Sequence, residues 1–283
     1  MDIRTILVPV TGVESGLAVL AAAFAVARYL GARVEGLHTR RNARDALAYI
    51  GEGMTGAMIE ELIATSEDEA AALARRARDD FAAASDKAGF GPAPAKRAAA
   101  LRVETGREDD LIAQHGRVAD LIVVARAAKD ADAPIRATLE AALLESGRPV
   151  FVAPPDQLEH RLASVAIGWN GSAEAARAVA HALPFLAKAE RVAVISVEEG
   201  VRPGPSADDL VAYLALHDVA ATTDALRADY RSTGEALLAE SKEMGAGLLV
   251  IGAYTHSRLR RMIFGSATEH MLGGAEIPVV MMH

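Results

Sequence analysis

The sequence of 283 residues contains no cysteine, few aromatic residues and no long hydrophobic segment. Without cysteine, the chain can form no disulfide, no thiol nucleophile and no cysteine-ligated metal site. No run of about 18 apolar residues is present to span a bilayer, and Met1 to Arg4 lead directly into a strand-like segment instead of a signal peptide. We therefore expect a cytoplasmic protein with no membrane partner.

The sequence also has no excess of basic residues and no familiar catalytic motif. The formal net charge is −8 and the isoelectric point is about 5.5, which argues against nucleic acid as a partner. The eight histidines form no i, i+4 pair and no H-E-x-x-H motif, so we expect no protein-held metal site. No G-x-S-x-G elbow, Walker lysine or clear acid and base pair is recognisable.

The chain does contain two copies of one pattern of strands and helices. Residues 6–12 (Ile-Leu-Val-Pro-Val-Thr-Gly) precede a helical run to Leu30, and residues 165–172 precede a similar run to Leu186. The further predicted strands, given in pairs from the two copies, are Val34–His38 and Val192–Val197, Leu121–Val124 and Leu248–Ile251, and Pro149–Val152 and Pro278–Met282. Nearly continuous apolar strands that alternate with helices predict a parallel sheet covered on both faces.

A long amphipathic helix is predicted in the first copy, because apolar residues recur at helical spacing from Ile59 to Phe81. Residues 51–56, just before it, fit G-x-G-x-x-G. A dinucleotide site requires a strand immediately before this motif, and residues 44–50 do not have a strand pattern. A loop that leads into the helix is therefore favoured over a dinucleotide site.

The most specific pattern lies in the C-terminal tail. After the strand Leu248–Ile251, residues Gly252, Thr255, Gly265 and Ser266 match G-x2-G-x9-G-[S/T] except at the second glycine, where Thr255 stands. A strand, a glycine turn and a helix N-terminus together bring free backbone N–H groups to an anion. With the Pro-Val-Val strand that follows, the tail resembles the universal stress protein family, in which this pattern wraps the ribose and phosphates of ATP.

The resemblance covers both copies and implies a tandem protein with universal stress domains at residues 1–155 and 161–283. The fold it implies is α/β, with two flavodoxin-like or Rossmann-like domains of the adenine nucleotide alpha hydrolase type. Each domain would be an open five-stranded parallel sheet with helices on both faces. Since single-domain relatives dimerise through their last strands, we expect Pro149–Val152 to pair with Pro278–Met281 in an intrachain pseudo-dimer, which leaves a further homodimer open.

The same resemblance implies that the second copy binds ATP, ADP or AMP, with any Mg²⁺ brought by the nucleotide. In nucleotide-binding members an aspartate at the end of the first strand holds the adenine and ribose. That position is Asn170 here and Thr11 in the first copy, and asparagine keeps two donors and an acceptor. The residues assigned to the site are Gly168, Asn170, Val197, Gly252, Thr255, Arg258, Gly265, Ser266, Ala267 and Thr268.

The first copy lacks the phosphate-binding pattern. Residues 125–134, which follow its strand Leu121–Val124, contain no glycine, and Pro134 opens the next helix. We therefore predict that the first copy is structural or regulatory and has a degenerate nucleotide site.

Several residues allow two interpretations. The β-branched side chain of Thr255 obstructs close backbone approach and a positive φ, although its hydroxyl can donate to phosphate. Arg258, with its neighbours Arg260 and Arg261, is either a phosphate-neutralising group or a solvated stretch. His256 is either a surface residue or a ligand contact, and Trp169 either packs in the core or stacks on a base.

Three functions are compatible with these patterns. The favoured one is a nucleotide-binding sensor or regulatory module in stress response, with at most slow ATP hydrolysis. The second is an interaction module with an unknown protein partner, in which both nucleotide sites have decayed. The third is an enzyme of the related hydrolase architecture, for which no catalytic group is visible.

Overall fold

The computed structural model describes residues 2–42, 55–92, 97–126, 133–154, 162–198, 203–227, 232–253 and 275–283. Its strands are β1 (Thr5–Pro9), β2 (Arg33–Arg40), β3 (Ala99–Thr105), β4 (Leu121–Ala125), β5 (Val150–Ala153), β6 (Ser164–Gly168), β7 (Arg191–Val197), β8 (Thr222–Leu226), β9 (Leu248–Gly252) and β10 (Val279–Met282). Its helices are α1 (Leu17–Leu30), α2 (Gly56–Ala88), α3 (Glu108–Gly116), α4 (Ala133–Glu145), α5 (Ala173–Leu186), α6 (Ala207–Ala215) and α7 (Thr233–Glu243).

The strands form one ten-stranded sheet in the order β3-β2-β1-β4-β5-β10-β9-β6-β7-β8. Within each half, five strands run parallel, which confirms the predicted fold class. The halves join where β5 and β10 pair antiparallel, with Val279 opposite Val152 and Met281 opposite Val150. The predicted intrachain pairing of the two final strands is therefore confirmed, and it leaves β3 and β8 as the edges of the sheet.

Helices cover both faces of the sheet. On one face, α1, α2, α5 and α6 bury an apolar cluster that includes Phe24, Phe151 and Phe185. On the other face, α3, α4 and α7 cover a second cluster around Ile122, Leu139 and Leu249. The central strands β1, β5 and β10 are buried along their whole length, and β4 is buried except at Ala125, which explains their nearly continuous apolar sequences.

Aromatic rings and a lysine stabilise the junction between the halves. Phe185 of α5 stacks on Phe151 of β5, with ring centroids 6.2 Å apart, and on Tyr29 of α1, at 6.4 Å. Lys188 donates from Nζ to the backbone oxygen of Tyr29 at 2.6 Å. The two halves therefore share one core as well as one sheet.

Most predicted elements are found, and a few predictions fall outside the described residues. The long helix is α2, which begins at Gly56 after Thr55 caps it by accepting from the Met58 N–H. The residues 44–54 that precede it and the predicted domain boundary at residues 155–160 lie outside the described part of the chain. Within that part, no helix is long and apolar enough to cross a membrane.

Candidate functional site

The candidate site lies at the carboxyl ends of β6 and β9. From β6 the chain moves outward to β7 and β8, and then returns to β9 on the other side of β6. Open parallel sheets bind ligands in the crevice that forms at such a switch in strand order. Gly168 ends β6 and Gly252 ends β9, so two of the predicted site residues lie at this switch in strand order.

Both glycines are packed too closely to accept a side chain. A Cβ atom at Gly168 would lie 2.8 Å from Cγ2 of Ile251, and one at Gly252 would lie 2.5 Å from the backbone nitrogen of Ala175. The Gly252 contact is with backbone, which cannot move aside as a flexible side chain can. Gly252 therefore allows the end of β9 to lie directly against the first turn of α5.

Asn170 shapes the turn between β6 and α5. Its Oδ1 accepts from the Ser172 N–H at 3.1 Å, and Gly171 between them has a φ of 75°. This is the side-chain-to-backbone turn that asparagine and aspartate favour. Asn170 is half-buried, and its amide NH₂ group supplies the two donors that remain for a ligand.

The N-terminus of α5 is satisfied largely by its own residues. Ser172 caps the helix by accepting from the Ala175 N–H at 3.2 Å, and Glu174 pairs with Arg177 at 3.0 Å. Burial acts to raise the pKa of Glu174, but its own backbone N–H and Arg177 outweigh that effect, so the pKa is lowered. A charged carboxylate therefore occupies the first turn, and α5 serves to position Gly252 more than to bind an anion itself.

Trp169 belongs to the core in this structure. Its side chain is buried, and its indole nitrogen donates to the backbone oxygen of Pro205 at 2.9 Å. The hydrogen bond ties the segment before α6 across the end of β6. Core packing, one of the two interpretations of this residue, is therefore the one that the structure supports.

The other predicted site residues divide into two groups. Val197 ends β7, and its buried side chain packs into the cluster under α7, so its side chain belongs to the core. Thr255, Arg258, Gly265, Ser266, Ala267 and Thr268 lie outside the described residues, as does His256. Their roles at the phosphates stay predictions.

The first half has the same switch in strand order, between β1 and β4, but different residues lie at it. The sequence repeat places Pro9 where the second half has Gly168, and the strand registers place Ala125 where it has Gly252. The end of β1 is also covered by α2, because a Cβ atom at Gly12 would overlap the carbonyl oxygen of Leu73. The degeneracy of the first nucleotide site stays a prediction.

Sequence reasoning missed two residues that shape the site, Ser172 and Glu174. A serine directly before an alanine-rich helical run is an N-cap signal that was available in the sequence. The pairing of Glu174 with Arg177 was less accessible, although the i, i+3 spacing is one that helices bring together. Across the described ranges, no group of three or more metal-binding side chains is found.

A comparison with protein families finds a match in the second half of the chain. The model of the universal stress protein family matches residues 162–283. Comparison with curated protein sequences finds no match.

Solved structures extend the likeness to both halves. A universal stress protein from Archaeoglobus fulgidus DSM 4304 aligns with 99% of this chain and 96% of its own, at 17% identity and a TM-score of 0.72. A universal stress protein described as putative, from Pseudomonas aeruginosa UCBPP-PA14, aligns with 99% of this chain and 93% of its own, at 15% identity and a TM-score of 0.55. At these identities the likeness establishes the fold, including its arrangement in two halves.

Proposed function

We propose that residues 162–283, which match the model of the universal stress protein family, bind an adenine nucleotide and act as a sensor or regulatory module. The observation that carries the proposal is the switch in strand order between β6 and β9, the position at which open parallel sheets bind ligands. Gly168 and Gly252 end the two strands there, where a side chain on either residue would collide with neighbouring atoms.

Asn170 is the residue proposed to hold the adenine or ribose. Its amide oxygen already accepts from the Ser172 N–H, so the side chain is oriented before a ligand arrives. Its two remaining donors suit the ring nitrogens of adenine and the oxygen atoms of ribose. Pre-orientation lowers the entropy cost of binding.

The phosphates are assigned to the turn that begins at Gly252 and includes Gly265 and Ser266. This assignment follows from the sequence pattern and the family resemblance. Backbone N–H groups in such turns bind phosphate oxygens, and Mg²⁺ would be held mainly by the phosphates themselves. Since the sequence supplies donors for binding but no recognisable general base, we assign the nucleotide a regulatory role.

Fluorescence titration of the full chain with ATP, ADP and AMP tests the proposal, because the single tryptophan, Trp169, adjoins Asn170. We expect saturable binding by the wild type and its loss in Gly265→Val, whose branched side chain would block phosphate approach. Gly56→Val is the matched control, since Gly56 has open space around it at the start of α2. It should bind as the wild type does.

The competing hypothesis is an interaction module with a decayed nucleotide site. Thr255 and Asn170 favour it, since both depart from the family pattern. Thr255→Gly restores that pattern and should tighten ATP binding. If neither the wild type nor Thr255→Gly shows saturable binding by fluorescence or calorimetry, the interaction module is the better account.

A further inference from the structure

Two half-buried arginines at the carboxyl ends of the strands in the first half each have a buried nitrogen without a partner among the described residues. In the described part of the chain, Nε of Arg40 and Nη1 of Arg126 are buried and make no hydrogen bond. Oγ1 of Thr39, next to Arg40, is also buried and makes no hydrogen bond. Buried polar groups are nearly always paired, and leaving a charged group unpaired is costly. Two such arginines indicate that a partner is missing.

The two arginines lie on either side of β1. Arg40 ends β2, Arg126 directly follows β4, and both strands pair with β1. Two strand spacings separate β2 from β4 by about 10 Å. The chain order reverses between β1 and β4, so Arg126 lies at the switch point of this half.

Nearby carboxylates are already engaged with other partners. Glu104 accepts from Arg102 at 3.3 Å and contacts His115 at 3.1 Å. Glu108 accepts from the Thr138 hydroxyl at 2.8 Å, and Asp109 accepts from Arg107. Among the described residues, the acidic side chains at the start of α3 and the end of β3 therefore make no ion pair with Arg40 or Arg126.

The second half does not repeat this arrangement. Ile6 pairs with Val34 and Val165 pairs with Val192, so the repeat places Arg40 where the second half has Glu198. By the same reasoning, Arg126 stands where the second half has Ala253. Glu198 is exposed and pairs with Arg227, and Ala253 is uncharged. The two arginines are thus a property of the first half and not of the repeated fold.

We propose that the first half binds a small polyanion through Arg40 and Arg126, at the carboxyl ends of β2 and β4. The ligand class is a molecule with two or more phosphate or carboxylate groups, because the planar guanidinium fork matches these groups. Spaced anionic groups would allow one molecule to reach both arginines. This site is separate from the proposed nucleotide site and does not depend on it.

Calorimetric titration of the full chain with pyrophosphate and with citrate, at constant ionic strength, tests the proposal. We expect saturable binding of at least one, weakened about 10-fold to 100-fold by Arg40→Gln and by Arg126→Gln, the range for a hydrogen bond to a charged group. Arg4→Gln is the matched control, because Arg4 precedes β1 at the opposite end of the strand and is largely exposed. Preference for pyrophosphate or citrate distinguishes phosphate from carboxylate ligands.

Thermal unfolding gives a second readout, the difference in unfolding temperature between Arg126→Met and the wild type. Without added anion, Arg126→Met should unfold at a higher temperature than the wild type, because it removes a half-buried guanidinium whose buried Nη1 has no partner in the described ranges. With saturating anion the order should reverse, because only the wild type gains stability from binding. A purely structural role for Arg126 predicts a lower unfolding temperature for the variant in both buffers, and that result would overturn the proposal.

Two further outcomes would also overturn it. The wild type could fail to bind either anion, or Arg4→Gln could weaken binding as much as Arg40→Gln does. Gly265→Val separates this site from the nucleotide site, because it should lose ATP at the second half and keep pyrophosphate at the first. Pyrophosphate binding that disappears in Gly265→Val would assign the anion to the second half.

Discussion

Replacement of Phe185 by alanine tests whether the two halves form one cooperative structure. Phe185 is fully buried, and its ring stacks on Phe151 of the other half at 6.2 Å and on Tyr29 at 6.4 Å. Removing a buried phenylalanine costs about 3–5 kcal/mol, and lost aromatic pairing adds to the cost of lost burial. Alanine is the better helix former and recovers a few tenths of a kcal/mol.

We therefore expect Phe185→Ala to lower the free energy of unfolding by about 4 kcal/mol. Single domains are stable by about 5–15 kcal/mol, so the loss is a large share of the total. With an m value of about 3 kcal/mol per molar urea, the midpoint should fall by more than about 1 M. Urea unfolding followed by circular dichroism measures this shift, and a single transition is expected because β5 and β10 share one sheet.

Two variants serve as controls. Tyr213→Ala removes an aromatic residue that is 40% exposed, so it should change stability by less than about 1 kcal/mol. Tyr29→Phe keeps the ring at the junction but removes a buried hydroxyl that has no partner, so it should be neutral or stabilising. A loss below about 1 kcal/mol for Phe185→Ala would refute the reasoning, as would separate transitions for the two halves.

Three further predictions concern the cap of α5, the junction and the site. Ser172→Ala should destabilise the protein by about 1 kcal/mol in urea unfolding, and Ser172→Asp, which keeps a capping oxygen, should not. Burial, aided by the negative charge of Glu190, raises the pKa of Tyr29 above 10.0. The unfolded chain therefore ionises this tyrosine first, and stability should be lost as pH rises through the folded-state pKa. Unfolding measured from about pH 9 to about pH 12 should show a shallower loss in Tyr29→Phe than in the wild type. Asn170→Asp keeps the acceptor for the Ser172 N–H and restores the family residue, so titration should show tighter ATP binding; weaker binding would remove Asn170 from the site.

The central strands were predictable from the sequence because both of their faces are buried. Buried strands such as β4 and β9 require apolar residues at successive positions, and that requirement is visible in a single sequence. The edge strands β3 and β8 were not located individually. The residues of β3 are a mixture of exposed and half-buried positions, and those of β8 are mostly exposed. Thr222–Leu226 therefore has no apolar run that would distinguish it from a loop.

The sequence singled out Gly168 and Gly252, but it did not show how they pack. The spacing of the tail singled out Gly252, yet its contact with the backbone of Ala175 depends on how α5 packs against β9. The turn at Asn170 likewise depends on a bond to Ser172 that forms only in the folded chain. Arg40 and Arg126 have no motif at all, since their significance lies in burial without a partner.

Native mass spectrometry with ATP tests the central claim most directly, on a full chain that carries Arg40→Gln and Arg126→Gln so that the arginine site does not take up a nucleotide. The account predicts one ATP per chain, because the second half alone has glycines at the ends of its first and fourth strands, β6 and β9. Addition of Gly265→Val should abolish the bound ATP. No bound ATP without Gly265→Val would contradict the proposed function, and two ATP molecules per chain would contradict the degeneracy of the first half.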